Sequence, residues 1–340
     1  MASYRVAVIP GDGIGPEVVE ATLHVLDALQ DAVKGLKLEY VKVEAGDEAA
    51  KKYGKPLPDE TFKVIAEESH ACLKGPVGET AADVIVRLRL QLDLYANVRP
   101  FKSYPGVPCL RPDIDFVIVR ENTEDVYKGW EFEVVPSEAA VCLRPITYRG
   151  SCRIAEYAFR LAKQRGKKLR VTAVHKANVM RLTCGLFAKA CRDVASRYSE
   201  VSFDEMYIDA CAMQLIRRPH EFDVIVTTNM FGDILSDEAA ALVGGLGLAP
   251  AANIGERHAI FEPVHGSAPK YAGKGVANPC STILAAKMML EWLGEVEAAA
   301  KLEKAVEEAL REGKALTPDL GGSSSTMDLA KDIARRLIEV

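Results

Sequence analysis

The sequence has 340 residues, of which 49% are hydrophobic and 27% charged, and a formal net charge of −5. This mixture is typical of a folded globular chain, and the net negative charge without a block of Lys and Arg argues against a nucleic-acid-binding surface. No apolar run reaches the roughly 18 residues of a membrane span, and the N-terminal stretch MASYRVAVIPGDG lacks the features of a signal peptide, so we expect a cytoplasmic protein.

The first predicted elements are a strand and a helix joined by a glycine-rich loop. Residues 4–9 (YRVAVI) have the continuous apolar pattern of a buried strand, and a helix is predicted from Pro16 to Val33. The loop at residues 11–15 (GDGIG) is similar to a dinucleotide-binding fingerprint. The fingerprint G-x-G-x-x-G, however, needs glycine where this chain has Pro16, so we do not predict a Rossmann site here.

Strands and helices alternate along most of the remaining chain, which predicts an α/β architecture. Residues 127–148 interrupt the alternation with β-rich pieces and turns, as expected for an antiparallel arm that clasps a second subunit. Further helices are predicted over residues 280–293 and 296–312, and further strands over residues 38–44, 71–73, 115–119, 170–174, 205–208 and 223–227.

The eight cysteines contain no C-x-x-C pair, so neither a zinc site nor a thioredoxin-type motif is predicted. We expect most of them to be small buried hydrophobic residues. They are Cys72, Cys109, Cys142, Cys152, Cys184, Cys191, Cys211 and Cys280.

Two acids one helical turn apart, Asp233 and Asp237, follow the predicted strand at residues 223–227. Like charges at this spacing repel each other, so we expect a positive group between them. Two carboxylates plus one more oxygen ligand suit Mg²⁺ or Mn²⁺, which keep coordination positions for water and substrate. The pair alone also fits a helix start whose acids face the helix dipole, so the neighbouring motifs must decide.

Other reactive side chains also follow predicted strands. Lys176 and Asp209 each end an apolar strand, and Arg120 and Tyr127 lie in one strand-to-loop passage. Ligands of α/β sheets bind at the carboxyl ends of strands, so these side chains are candidates for one site. Guanidinium groups bind carboxylates through two hydrogen bonds, and three arginines predict a substrate with two carboxylates. These arginines are Arg89, Arg99 and Arg120.

Taken together, the motifs resemble the metal-dependent β-decarboxylating dehydrogenases, the family of the isopropylmalate, isocitrate and homoisocitrate dehydrogenases. The resemblance covers nearly the whole chain and includes stretches similar to archaeal isopropylmalate dehydrogenases. The motifs are, in chain order, PGDGIGPE, YANVRP, RENTEDVY, HKANVM, TTNMFGDILSDEAA and EPVHGSAPKYAGKGVANP.

The resemblance implies a two-domain α/β fold that is not a Rossmann fold. It implies a large cofactor-binding domain of residues 1–97 and 240–340, and a small domain of residues 98–239 that carries the dimer interface and the intersubunit arm. It also implies a homodimer with shared active sites, with a tetramer left open. Lys176 and Asp209 would then act across the dimer interface.

The same resemblance implies the role of each site residue. Asp233, Asp237 and the partner's Asp209 would bind Mg²⁺ or Mn²⁺, with Lys176 as the base that takes the hydroxyl proton and Tyr127 as the acid that protonates the enol carbon. NAD or NADP would be bound by His265, Gly266, Ser267, Ala268, Lys270, Tyr271 and Asn278.

Substrate choice depends on the stretch ETAADVIVRLR. Asp83 and Ile85 occupy places where isocitrate-type members carry Ser and Asn, and Ile85 with Val86 and the adjacent Val84 forms an apolar patch. Such a wall accepts an isopropyl group and leaves a third carboxylate unpaired. We therefore predict 3-isopropylmalate, a substrate of leucine biosynthesis. Isocitrate and homoisocitrate remain alternatives, because residues 209–252 and 281–322 resemble homoisocitrate dehydrogenases and Arg87 is a possible partner for a distal carboxylate.

Coenzyme choice depends on Lys270 and Tyr271. NAD-linked relatives carry Asp at position 270, whereas an ammonium group there attracts the 2′-phosphate of NADP. Pro318 and Gly322 stand where NADP-linked isocitrate enzymes carry Tyr and Arg, so we predict that NADP is preferred and NAD tolerated.

Two other classes of protein fit part of the pattern, a non-redox Mg²⁺-dependent lyase and a non-catalytic binding module. Neither has a use for the HGSAPKYAGKGVANP loop together with Lys176 and Tyr127.

Overall fold

The computed structural model describes residues 2–339, with side chains described for residues 3–338. Contacts within the chain define two compact units. Unit 1 contains residues 2–92, 103–112 and 243–339, and unit 2 contains residues 93–102 and 113–242. The sequence placed residues 103–112 in the small domain, whereas they pack in unit 1. Glycine allows this packing, because a Cβ at Gly106 would lie 2.3 Å from the Leu310 carbonyl oxygen.

Unit 1 is built on a mixed sheet with seven α-helices among its described residues. Its strands are β1 (Ala2–Ile9), β2 (Leu36–Lys42), β3 (Ala71–Lys74), β11 (Pro250–Ile254) and β12 (Ala259–Pro263). Its helices are α1 (Gly15–Ala32), α2 (Asp47–Tyr53), α3 (Asp59–Lys63), α4 (Arg87–Gln91), α9 (Cys280–Trp292), α10 (Val296–Glu312) and α11 (Thr326–Glu339). The strand order is β2-β1-β3-β12-β11, parallel except for the β11–β12 pair. The sequence prediction missed β11 and β12.

Unit 2 contains a second set of five strands, an antiparallel ribbon and four α-helices among its described residues. The strands are β4 (Ala96–Lys102), β5 (Asp115–Glu121), β8 (Arg170–His175), β9 (Ser202–Tyr207) and β10 (Val224–Thr227). They are ordered β4-β5-β10-β8-β9, and only the β4–β5 pair is antiparallel. The helices are α5 (Tyr148–Arg165), α6 (Thr183–Ala195), α7 (Ile208–Arg217) and α8 (Asn229–Leu242).

The strand predicted over residues 205–208 is misplaced. The observed strand β9 ends at Tyr207, and helix α7 begins at Ile208. Residues Cys211 and Leu215 of α7 are both buried and lie four positions apart, which is a helical spacing. Asp209 therefore lies in the first turn of a helix and not at the end of a strand.

The glycine-rich loop between β1 and α1 packs closely against the backbone of two other segments. A Cβ at Gly11 would lie 2.0 Å from the Pro76 carbonyl oxygen, and a Cβ at Gly13 would lie 2.0 Å from the Ser267 carbonyl oxygen. Both glycines have positive φ angles, of 76° and 60°. The glycines are thus required by the close approach of neighbouring backbone, which agrees with the absence of the Rossmann fingerprint at Pro16.

The predicted arm contains an antiparallel ribbon of strands β6 (Glu131–Val135) and β7 (Ala139–Cys142). Its apolar side chains are exposed in the isolated chain, as the contact surface of a clasping arm would be. Whether it contacts a second subunit stays a prediction. The exposed apolar residues of the ribbon and its flanks are Trp130, Phe132, Val134, Val135, Val141 and Leu143.

The cysteines are free thiols, and most of them are buried, as predicted. The buried ones are Cys72, Cys184, Cys191, Cys211 and Cys280. No helix in the described part of the chain combines the length and apolar character needed to cross a membrane.

Candidate active site

The acidic pair on helix α8 faces two arginines of unit 2. Asp233 accepts hydrogen bonds from the Arg120 guanidinium and from the Tyr127 hydroxyl, and Arg99 Nη1 lies 3.3 Å from Asp233 Oδ1. Both arginine contacts are made to Asp233, so a positive group between Asp233 and Asp237 stays a prediction. Four of the predicted site residues, Arg99, Arg120, Tyr127 and Asp233, form one cluster.

Asp237 differs from Asp233 in its surroundings. Its carboxylate is exposed, and it makes no hydrogen bond or ion pair within residues 3–338. Partial loss of hydration raises its pKa, the negative charge of Asp233 adds to that rise, and the charges of Arg99 and Arg120 oppose it. Two carboxylates close enough to affect each other, one of them without a partner, fit a hard divalent cation with oxygen ligands.

Arg120 is buried in β5 and is held in a fixed orientation. Its Nε donates to Asn229 Oδ1 at 2.9 Å, and its Nη2 is buried without a hydrogen-bond partner in the part of the chain that the structure describes. A Cβ at Gly232 would lie 2.6 Å from the Arg120 Cβ, so glycine leaves room for the arginine stem. The sequence analysis missed Asn229 and Gly232; the glycine in the middle of a helix, next to Asp233, was the available signal.

Arg99 and Arg89 belong to different units. Arg99 is buried in unit 2, where its Nε donates to Asn97 Oδ1 at 2.7 Å and its Nη1 donates to Ser236 Oγ at 2.6 Å. Arg89 is buried in unit 1, where its Nε donates to Asn253 Oδ1 at 2.9 Å. Arg89 is therefore anchored by its own unit, and its contact with a substrate stays a prediction.

A buried carboxylate, Glu262, supports Arg89. Its oxygens lie 3.3 Å from Arg89 Nη2 and 2.7 Å from Lys74 Nζ. Burial alone would raise the pKa of Glu262, but the charges of Lys74 and Arg89 outweigh this and hold the pKa at about 2. Glu262 thus stays ionised and fixes the direction of the Arg89 guanidinium.

Lys176 and Asp209 form a second pair in unit 2. Lys176 directly follows β8, and its Nζ lies 2.5 Å from Asp209 Oδ1 in the first turn of α7. The Lys176 ammonium lowers the pKa of Asp209, chiefly through this hydrogen bond. Among the side chains of residues 3–338, no three His, Cys, Asp or Glu groups gather closely enough to hold a metal ion. Asp209 therefore does not join Asp233 and Asp237 within one chain.

The predicted coenzyme loop borders a cavity of about 390 Å³ in unit 1. The cavity is lined by His265, Tyr271 and Asn278, whereas the loop residues Gly266 and Lys270 are exposed and do not line it. His265 Nε2 is buried without a hydrogen-bond partner in the described chain, and burial lowers the pKa of this imidazole. A neutral ring nitrogen that lacks a partner in a partly apolar cavity fits a nucleoside base.

Lys270 and Lys274 both lie over the ring of Tyr271. Their Nζ atoms are 4.8 Å and 5.6 Å from the ring centroid. Within residues 3–338, Lys270 makes no hydrogen bond or ion pair through its ammonium. The other predicted loop residues have main-chain roles, since Ser267 O accepts a hydrogen bond from Ile14 N at 2.8 Å and Ala268 has a positive φ of 40°.

The apolar patch predicted next to Arg89 is smaller than expected. Val84 is fully buried, so its side chain belongs to the core and not to a pocket wall. Ile85 and Val86 are half-buried, in a π-helical turn that leads into α4. Arg87, the possible partner of a distal carboxylate, lies 3.7 Å from Asp59 through its Nη2.

Comparisons with known proteins agree over the whole chain. The family model for isocitrate/isopropylmalate dehydrogenase matches residues 5–333. The chain is 56% identical to the 3-isopropylmalate dehydrogenase of Archaeoglobus fulgidus, over 98% of this chain and 99% of the relative. It is 49% identical to the isocitrate/homoisocitrate dehydrogenase of Thermus thermophilus, over 98% and 99%. The isocitrate dehydrogenase of Methylococcus capsulatus has a similar crystal structure, with a TM-score of 0.93, 45% identity and coverage of 98% and 99%.

Proposed function

The chain belongs to the isocitrate/isopropylmalate dehydrogenase family of β-decarboxylating dehydrogenases, and from that membership we propose that it oxidatively decarboxylates 3-isopropylmalate, preferring NADP and accepting NAD. The observation that supports a carboxylate substrate most directly is Arg120, whose buried Nη2 has no hydrogen-bond partner in the described chain. A buried guanidinium nitrogen without an acceptor is costly, and a substrate carboxylate beside Asp233 would supply one.

The residues of unit 2 divide the proposed reaction between them. Arg99 and Arg120 orient the substrate carboxylates, and Lys176, held by Asp209, accepts the hydroxyl proton after passing its own proton to water. Tyr127 then protonates the carbon from which CO₂ has left. When bound by Asp233, Asp237 and the partner's Asp209, a divalent cation supplies positive charge for the negatively charged oxygen, and the nicotinamide supplies the hydride acceptor.

The proposal of 3-isopropylmalate is supported by the apolar Ile85 and Val86 and by the higher identity to the Archaeoglobus fulgidus relative. Homoisocitrate or isocitrate is the second candidate, supported by the Thermus thermophilus relative. Steady-state kinetics with isopropylmalate, isocitrate, homoisocitrate and malate, each with NAD and NADP, tests both. We expect the highest kcat/KM for isopropylmalate; a higher value for a tricarboxylate would transfer the proposal to the second candidate.

A lyase that uses the same cation without redox chemistry is the rival from another class. It has no use for the cavity beside His265, Tyr271 and Asn278. Titration with NADPH separates the two, because binding in a partly apolar cavity changes the fluorescence of the dihydronicotinamide. A wild-type chain that leaves NADPH fluorescence unchanged would favour the lyase.

The preference for NADP is attributed to Lys270. We expect Lys270→Asp to shift the ratio of kcat/KM values toward NAD by about tenfold or more, because a carboxylate there repels the 2′-phosphate that the ammonium attracts. Lys34→Asp carries the same change of charge on an exposed lysine distant in sequence from the loop, and should leave the ratio unchanged. An unaltered ratio in the Lys270 variant would remove Lys270 from this role.

Tyr127 is expected to act after hydride transfer. We expect Tyr127→Phe to lower kcat by about 10²-fold, because protonation of the enol then depends on water. The deuterium isotope effect on kcat, measured with substrate deuterated at the carbon that loses hydride, should shrink because hydride transfer no longer limits the rate. Tyr198→Phe removes a hydroxyl bonded to Glu156 elsewhere in unit 2 and serves as the control. If the full deuterium isotope effect persisted in the slowed Tyr127 variant, Tyr127 would act in oxidation instead.

The assembly is proposed to be a homodimer, with a tetramer as the alternative. The exposed apolar side chains of α7 and α8 support this, together with the exposed ribbon of β6 and β7. In this proposal unit 2 forms the dimer and unit 1 binds the coenzyme. The apolar side chains on the two helices are Met213, Ile216 and Ile234.

A further inference from the structure

The motif PGDGIGPE ends in Glu17, whose carboxylate binds the backbone of the proposed coenzyme loop. Glu17 lies in the first turn of α1. Its Oε2 accepts a hydrogen bond from Gly275 N and its Oε1 accepts one from Ala277 N, each at 3.1 Å. Each carboxylate oxygen of Glu17 thus accepts a hydrogen bond from one of the two backbone amides that flank Val276.

The same loop segment is also held by Thr326, the first residue of α11, whose Oγ1 lies 3.3 Å from Glu17 Oε1. Thr326 N donates to Gly275 O at 2.8 Å, and Thr326 Oγ1 donates to Ala277 O at 2.6 Å. The Thr326 side chain is buried, so these bonds are shielded from water. Residues 275–277 are therefore clamped on both the amide and the carbonyl side.

This clamp determines which groups face the cavity. Val276, Ala277 and Asn278 all line it, and the bonded amides of Gly275 and Ala277 fix the backbone on each side of Val276. Gly275 has a positive φ of 63°, a conformation that a flexible glycine leaves readily when nothing holds it. Without Glu17, the loop would have to be ordered by the coenzyme at the expense of binding free energy.

We propose that Glu17 is a positioning residue for the coenzyme, which holds residues 275–277 so that the cavity wall exists before the nucleotide binds. This inference rests on the proposed function, because it takes the loop at residues 265–278 as the coenzyme site. A purely structural role for Glu17 is the alternative, since an acid in the first helical turn stabilises a helix through its dipole.

The test compares Glu17→Gln with Glu20→Gln in the full-length chain. The Gln side chain has one acceptor oxygen and an NH₂ donor, so it cannot accept from both amides. We expect the Kd for NADPH, measured by fluorescence, to rise about tenfold in Glu17→Gln, because ordering of the loop then opposes binding. The coenzyme KM should rise in parallel, with kcat and the KM for the hydroxy acid unchanged. Glu20 is exposed on the same helix, and its variant should match the wild type.

Hydrogen exchange of the coenzyme-free protein gives a readout that does not depend on activity. The amides of Gly275 and Ala277 should exchange faster in Glu17→Gln than in the wild type, while the amides of β1 keep their protection. Thr326→Val should show the same loop-specific change. Thr326→Ser keeps the hydroxyl, so the amides of Gly275 and Ala277 should stay as protected as in the wild type.

The outcomes separate this inference from the proposed function. A wild-type chain that does not bind NADPH would overturn the proposed function. A wild-type chain that binds NADPH, together with a Glu17→Gln variant of unchanged Kd, would overturn the role of Glu17 alone. Lower thermal stability with unchanged Kd and unchanged loop exchange would assign Glu17 to helix stability only.

Discussion

We expect Lys176→Ala to slow hydride transfer by about 10²- to 10⁴-fold, because the proposed base for the hydroxyl proton is lost. Lys176 Nζ lies 2.5 Å from Asp209 Oδ1, so the carboxylate holds the Lys176 side chain in one position. Stopped-flow measurement of NADPH formation isolates this step from decarboxylation. The substrate KM should change little, because no carboxylate contact is assigned to Lys176.

The matched control is Lys189→Ala. Lys189 pairs with Asp193 at 2.6 Å on the surface of unit 2, so its removal deletes a lysine–aspartate pair without touching the site. Small amines added to the Lys176→Ala variant should restore part of the rate, since they replace the missing base. If the oxidation rate of Lys176→Ala equalled that of the control, another group would be the base.

The second large effect is expected for Asp233→Asn, which should weaken Mn²⁺ binding by at least about 10- to 100-fold and abolish metal-dependent turnover. Mn²⁺ binding, followed by electron paramagnetic resonance, measures the affinity directly. Asp233 also accepts hydrogen bonds from Arg120 and Tyr127, so this variant alone would not separate metal binding from side-chain positioning.

The variant Asp237→Asn separates metal binding from side-chain positioning. Asp237 makes no hydrogen bond among the side chains that the structure describes, so its replacement leaves the contacts of Arg99, Arg120 and Tyr127 in place. We expect weaker Mn²⁺ binding in this variant as well, with the fold intact. Wild-type Mn²⁺ affinity in both variants would contradict the assignment of α8 as the metal-binding helix.

The two inactive variants also test the sharing of sites between subunits. If Lys176 of one subunit serves the Asp233 of the other, a mixed dimer of Lys176→Ala and Asp233→Asn contains one site with both changes and one intact site. Refolding an equal mixture should then recover about a quarter of wild-type activity, because about half the dimers are mixed. No recovery would place each site within one chain.

The fold was predictable where the chemical pattern is local. The apolar run of β1 and the helical period of α10 (Val296–Glu312) identified these elements from their own residues. By contrast, β11 and β12 were missed because Pro250–Ile254 and Ala259–Pro263 are short, contain proline, and become strands only by pairing, with each other and, for β12, with the distant β3. Tyr207 and Ile208 have similar β propensities, yet β9 ends at Tyr207 and α7 begins at Ile208. The helix is favoured there because it buries Cys211 and Leu215 on one face.

The site shows the same division. The family motifs identified Arg99, Arg120, Tyr127 and Asp233, and the structure brings these four together. The anchoring of Arg89 was not predictable, because its partners Asn253 and Glu262 lie on β11 and β12, which are among the strands that the sequence did not reveal. The burial of Val84 was hidden for a similar reason: an apolar residue next to two others gives no sign of which one faces the core.

The backbone at Gly322 limits how coenzyme choice can be redesigned. A Cβ there would lie 2.0 Å from the Leu316 carbonyl oxygen, so an arginine cannot be introduced at this position unless the main chain shifts. Pro318, in contrast, lines the cavity directly. Variant libraries meant to sharpen discrimination between the two dinucleotides should therefore diversify position 318 and leave position 322 untouched.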